Sequence, residues 1–391
     1  MTAPQLRLLS GDPSVDREQD LLSAVAGAFD PARLTQARRL AGRTKREIAC
    51  ELGISPAAVG QWESGATAPR PDHVRRLAVY LDVPAGFLAS GRRYVRLDIG
   101  DAHFRSVRST PASLRAKAIA FTEQVWELAA ALETRVDLPP VALPGFSVGE
   151  VQPGQFAGDP ATAAAEVRRH WSLGEEPVPH LIRVMERHGL IVTLVPFAGA
   201  DTKKIDAFST SHLPRPVVAL TPDRADDVYR HRYTAAHELG HLVLHGDIAP
   251  GDPVQEKEAD AFAAEFLTPR AAIVPQLPAR LDLHVLQRLG RSWGVSVESL
   301  VYRCHEVGML SDASYRRAFL RLNQQRKLGL FASEPVQGYP GEVPVLLKKA
   351  FEVAERQGLT LARLATELRI GLPRLRLLLG QPDTRPKLDL V

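Results

Sequence analysis

The chain has 391 residues, of which 45% are hydrophobic and 24% charged; that excludes a disordered tail, and at roughly 100–200 residues per domain it predicts two or three domains. No apolar run approaches the roughly 20 residues that cross a bilayer, and residues 1–16 lack a basic start followed by an apolar stretch, so the sequence reads as a cytoplasmic protein with no membrane partner. The formal net charge of +4 hides an uneven distribution: 2 basic against 5 acidic residues in 1–30, 12 against 5 in 31–96, 18 against 24 in 97–280 and 17 against 11 in 281–391.

Residues 1–30 read as a loose lead-in with a short amphipathic pattern at 21–28. Residues 31–96 hold short helical patterns separated by Gly and Pro, an all-helical unit whose basic excess suits a polyanionic partner. In 97–160 a helical connector, with Leu114, Ala118, Phe121, Val125, Leu128 and Leu132 at spacings of three and four, runs into a Pro/Gly-rich linker at 138–160. The stretch 161–275 predicts helices at 161–171 and 178–188, strands at 190–195 and 217–220, and two further helices at 230–245 and 254–266. Residues 276–391 are helical again. The fold class is therefore multidomain, all-α at both ends and α+β in the centre.

Within the front unit, Thr44 caps a short helix whose inward positions are Ile48, Ala49 and Leu52. Gly53 supplies a tight turn, and Ser55-Pro56 starts a second helix that reaches Trp62. That is the geometry of a helix-turn-helix. With Glu63, Ser64, Gly65, Pro69, Leu77, Leu81, Pro84 and Phe87 continuing the pattern, residues 31–96 resemble the Xre/Cro-like helix-turn-helix family. The resemblance implies a double-stranded DNA operator as partner, with Ala57, Ala58 and Gln61 toward base edges and Arg43, Lys45 and Arg46 on phosphates. Relatives often carry Gln where this chain has Lys45. A homodimer follows if the operator is palindromic.

The most specific signal is His237-Glu238-Leu239-Gly240-His241 in a helical stretch. Two His four apart share a helix face, so both imidazoles reach one zinc, while Glu238 stands beside metal-bound water as general base. Only Cys50 and Cys304 are present, which excludes a four-thiolate site and leaves His and carboxylates as metal donors. His245 continues the column but lies about 12 Å along the axis from His237. Downstream, Glu256 and Asp260 lie four apart on a second helix; Glu256 completes a His-His-Glu set, Asp260 orients a ligand imidazole, and Glu258 is the fallback ligand.

The run from Arg232 to His245 and the Glu256-Lys-Glu-Ala-Asp260 stretch resemble the ImmA/IrrE family of metallopeptidases over about 161–269. The resemblance implies a zincin-like α+β domain at 161–275 with Zn2+ as cofactor, His237, His241 and Glu256 as ligands, and Glu238 as the base. It further implies a zinc metalloendopeptidase that cleaves a helix-turn-helix repressor protein in a stress or mobile-element response. The oxyanion donor is open among Tyr233, Arg232 and His231, Tyr233 being the first choice. Zinc peptidases of this helix type commonly take substrate as an added strand, for which residues 206–209 offer a sheet edge.

Two later stretches, 286–300 and 360–371, echo the helix-turn-helix pattern of 44–55 and read as helical packing units that cover the peptidase, the basic excess of 281–391 leaving open a further nucleic-acid surface or a site for a regulatory partner. Cys304 reads as a buried small hydrophobe. The whole chain then reads as a DNA-binding regulator carrying a peptidase, which cleaves a repressor or itself. The alternative is a transcription factor whose peptidase-like domain is a non-cleaving sensor or dimerisation module.

Overall fold

A computed structural model describes residues 13–98, 100, 102–104, 111–147, 150–151, 158–195, 207–221, 227–246 and 252–381 of the chain. The first helix, α1 (Pro13–Gly27), runs through most of the predicted lead-in; residues 1–12 of that lead-in lie outside the described residues. Leu22 and Val25, three apart on one face, are both buried in the front core, so tertiary packing extends a helix that local pattern alone leaves short. α2 (Pro31–Leu40), α3 (Lys45–Leu52), α4 (Pro56–Ser64) and α5 (Pro71–Tyr80) complete the front unit.

The predicted turn is present with its capping chemistry. The Thr44 hydroxyl accepts from the Glu47 amide and the Glu47 carboxylate accepts from the Thr44 amide, a reciprocal capping box. Gly53 ends α3 at φ 71°, where a side chain would be strained. The Ser55 hydroxyl then accepts from Ala58 to start α4. Ile48, Ala49, Leu52, Val59 and Trp62 close against one another inside.

A two-residue strand, β1 (His103–Phe104), precedes the long helix α6 (Ala112–Glu133). A short hairpin, β2 (Phe146–Ser147) and β3 (Glu150–Val151), follows in the linker; residues 148–149 and 152–157 of that linker lie outside the described residues. The centre is built from α7 (Pro160–His170), α8 (Leu181–Arg187), β4 (Ile191–Leu194), β5 (Ala207–Thr210), β6 (Val217–Leu220), α9 (Val228–Leu244) and α10 (Pro253–Leu267). The sheet has the order β1-β5-β6-β4, with β4 parallel to β6 and the other pairs antiparallel.

Strand residues alternate between two cores. Ile191, Phe208, Val217 and Ala219 enter the core shared with the front unit, whereas Val192, Ala207, Val218 and Leu220 enter the core formed with α9 and α10. A sheet covered on both faces favours apolar residues at successive positions, which is why 190–195, interrupted only by Thr193, and 217–220 read as apolar runs.

Of the C-terminal stretch 276–391, expected as one region, residues 276–381 divide between the two cores, and 382–391 lie outside the described residues. After α11 (Arg270–Ile273), helices α12 (Leu283–Trp293), α13 (Val297–Glu306) and α14 (Asp312–Lys327) pack on the central core. α15 (Leu346–Arg356), α16 (Leu361–Leu368) and α17 (Leu372–Leu378) return to the front core. The first echo, α12–α13, packs on the central core as expected, whereas the second, α16–α17, packs on the front core instead of covering the central domain. α17 places Arg374 under the fold, its guanidinium donating to Gln124 at 2.7 Å, rather than presenting it outward.

The connector is more than a spacer. α6 is buried from Ala118 to Leu132 without a break, enclosed by α2 on one side and α15–α17 on the other. Its carboxylates find partners inside: Glu127 accepts from Arg33 at 2.5 Å and from Gln36 at 3.0 Å, and one Glu123 oxygen accepts from the Leu97 amide at 3.1 Å, the other being buried without a hydrogen bond among the described residues. Buried carboxylates of this kind are tolerated only with such partners.

Candidate metal centre and DNA-binding surface

α9 and α10 pack together and carry the predicted metal-site residues. His237 and His241 sit one turn apart with their Nε2 atoms 3.1 Å from each other. The Glu256 carboxylate lies 3.5 Å from each of those nitrogens. A tetrahedral zinc with bonds of about 2.0–2.1 Å separates any two of its donors by about 3.3 Å. One carboxylate oxygen faces each imidazole nitrogen, and one donor atom from each of the three residues lies within 4.8 Å of the others, a three-residue set of the kind that holds zinc with a further position for water or substrate. The donor set and spacing fit a zinc ion.

The opposite ring nitrogens are held from behind. His237 Nδ1 lies 2.8 Å from Asp260 Oδ1, the placement expected for Asp260. His241 Nδ1 lies 3.0 Å from His245 Nδ1, and His245 Nε2 lies 2.9 Å from Glu258. With His245 Nε2–H donating a hydrogen bond to Glu258, His245 Nδ1 is the acceptor for His241 Nδ1–H, and the His241 Nε2 lone pair is directed at the cluster. Glu258, the fallback ligand, thus serves His245 and stands outside the donor triangle. Sequence spacing dismissed His245 as a donor; its place behind His241 follows only once α10 is folded against α9.

Burial favours neutral imidazoles, as metal ligation requires. It lowers the His241 value to about 4 and lowers that of His245. Burial alone would raise Glu256, but the neighbouring His237 and His241 side chains outweigh it and bring the carboxyl down to about 2. Glu238, fully buried, accepts a 2.7 Å hydrogen bond from Ser209 on β5. Sequence reasoning missed Ser209; nothing in its local pattern marks it, because it lies 29 residues before its partner.

Of the three candidate oxyanion donors, two are committed elsewhere. Arg232 is buried, with its guanidinium paired to Glu342 and donating to Gly294 O at 2.9 Å and Val178 O at 2.6 Å. His231 Nε2 lies 3.0 Å from the Glu342 carbonyl. The Tyr233 hydroxyl donates to Asp260, 3.2 Å from Oδ1, behind the His237 ring. Residue 206 lies outside the described residues, and the strand edge expected to be open at 207–209 is taken, since β5 pairs with β6 on one side and β1 on the other.

At the front unit, Arg43, Lys45, Arg46, Ala57 and Gln61 are exposed and Ala58 is half-buried. Lys45 lies 3.2 Å from Glu63, which also holds Arg38; Arg43 stacks over Tyr80 and lies 3.7 Å from Glu47. Cys50 is exposed and Cys304 buried.

Comparison with protein families matches residues 34–88 to the helix-turn-helix family and residues 185–305 to the IrrE N-terminal-like domain. The chain joins a helix-turn-helix domain to an IrrE-like domain. Comparison with curated proteins finds no match. The IrrE-like match spans the donor triangle together with β4–β6 and α12, and most of α13, so this is a metallopeptidase-like domain. The helix-turn-helix match covers α3, α4 and α5, with the basic surface of 31–96 around them, and supports DNA binding. β1 and α6 lie outside both matches. Among the described residues no helix is long and apolar enough to cross a membrane.

Proposed function

We propose that the chain is a DNA-binding regulator whose IrrE-like domain is a zinc-dependent endopeptidase acting on a helix-turn-helix repressor or on a copy of itself. The observation that carries this reading is the convergence of His237 Nε2, His241 Nε2 and a Glu256 oxygen, beside a buried Glu238. Zinc bound there would polarise the scissile carbonyl and acidify its water. His237, His241 and Glu256 hold the ion, and Asp260 and His245 fix the two imidazoles. Glu238 takes the proton of the attacking water and passes it to the leaving amine nitrogen. Ser209 anchors one Glu238 oxygen and so sets the carboxylate's direction. Tyr233 steadies Asp260 in this arrangement, and meeting the oxyanion would require its hydroxyl to leave that carboxylate.

Arg43, Lys45 and Arg46 neutralise phosphates, while Ala57, Ala58 and Gln61 face base edges. With two alanines in that set, direct base readout is sparse and backbone contacts supply most of the affinity. Fusion to the DNA-binding unit delivers the peptidase to promoters, in line with a cytoplasmic stress or mobile-element response, and a palindromic operator would recruit a homodimer. The domain limits that go with this reading are 31–96 for DNA binding and 161–275 for the peptidase. The test is cleavage of a genomically adjacent helix-turn-helix repressor, and of the chain itself, by zinc-loaded protein beside Glu238→Gln. Products with the unaltered chain only are expected; identical behaviour of the two proteins rejects the protease and favours a non-cleaving sensor.

A further inference from the structure

We propose that β1 is a built-in blocking strand: His103–Phe104 occupies the sheet edge on which a peptide substrate pairs, so cleavage by the unaltered chain is slowed in cis. This rests on the peptidase reading above. The observation is the register. β1 runs antiparallel to β5 with His103 opposite Ser209 and Phe104 opposite Phe208. Ser209 is the residue whose hydroxyl holds Glu238. The strand therefore lies along the backbone next to the proposed base, where an extended substrate would form its ladder.

Three features mark β1 as an added element. It lies more than 80 residues before the IrrE-like match begins at 185, so it comes from outside the domain whose edge it covers. It is two residues long, which gives few ladder hydrogen bonds and makes displacement by a longer peptide feasible. It also follows directly from the front unit. Leu97 is anchored through its amide to Glu123 on α6, 3.1 Å away, and His103 comes six residues later. The proposed ligand of the opened edge is an extended peptide segment, bound chiefly through its backbone.

The test uses the full chain carrying Glu238→Gln, so that binding is read without turnover. The probe is a fluorescently labelled peptide of the chain's own residues 98–107, followed by anisotropy. Adding His103→Pro and Phe104→Pro removes the strand's amide donors and is expected to tighten peptide binding by about tenfold or more. Equal binding with and without the prolines overturns the proposal. A milder His103→Gly/Phe104→Gly pair, checked by circular dichroism for retained helix, is expected to give a smaller gain and faster hydrogen exchange at 207–210; unchanged exchange there also overturns it. In the background with Glu238 intact, the proline pair is expected to accelerate cleavage of the same peptide. Tighter binding without any cleavage would leave the blocked edge standing and reject the peptidase, whereas cleavage at equal rates by both chains would do the reverse.

Discussion

Glu342 is the sharpest structural test of how the metallopeptidase-like domain is held. It is 2% exposed, and its carboxylate accepts from Leu181 N at 2.9 Å, from Ile182 N at 3.2 Å and from the Arg232 guanidinium. α8 begins at Leu181 after His180, which has φ 51° and no side-chain capping bond. Glu342 therefore caps from a distance amides that the helix start leaves open. Replacing Glu342 with Ala strands a buried guanidinium, which costs about 3–5 kcal/mol, and orphans two amides at about 1–3 kcal/mol each. The losses overlap because water entering the space serves all three groups, so the net expectation is about 4 kcal/mol. Trp171 and Trp293 sit in the central core and Trp62 and Trp126 in the front one. In a Trp62→Phe/Trp126→Phe background, emission thus follows the central core alone. Glu342→Ala should lower its melting midpoint by about 10 °C, and adding Arg232→Met should recover part of the loss, since an apolar side chain needs no counter-charge. A shift under about 2 °C would refute the buried-pair reasoning.

Three further outcomes follow from the same geometry. Burial, partly offset by the Leu97 amide, raises the Glu123 carboxyl to about 7; the folded chain then holds that proton to higher pH than the unfolded one. Its stabilisation is present in full below about 4.5 and is lost as pH rises through about 7, so Glu123→Gln should flatten that slope, worth up to about 3 kcal/mol, in urea melts followed through Trp126; an unchanged slope would show the titration lies elsewhere. Ser209→Ala removes a charge-assisted hydrogen bond of about 1.5–3 kcal/mol and should reduce kcat by about 10- to 100-fold with zinc content unaltered; an unaltered kcat would discard the orienting role. Lys45→Ala and Arg46→Ala should each reduce the dependence of DNA affinity on log salt by about one, measured by anisotropy titrations, and an unaltered dependence would take these side chains off the phosphates.

Short-range chemistry was legible in the chain. Thr44, Gly53 and Ser55 announce the helix-turn-helix because caps and a left-handed turn are local, and His237, Glu238 and His241 lie within one turn and a half of helix. Long-range pairing was not. Ser209 meets Glu238, and Glu342 meets Arg232 across 110 residues, only after the sheet and helices assemble. α6 carries an ordinary three-four spacing that predicts one apolar face, yet its polar residues Glu123, Gln124 and Glu127 are buried too, because Arg33, Arg374 and the Leu97 amide reach in from distant segments. β1 has two residues, too few to leave a period in the sequence.

The central claim is met most directly by zinc stoichiometry and affinity. The purified chain, titrated against a chromophoric chelator with metal content read by mass spectrometry, should bind one zinc per chain. His237→Ala, His241→Ala and Glu256→Ala should each weaken that binding by about tenfold or more while circular dichroism shows the helices intact. A chain that binds no zinc, or whose affinity is indifferent to all three replacements, would contradict the assignment of His237, His241 and Glu256 as the metal centre.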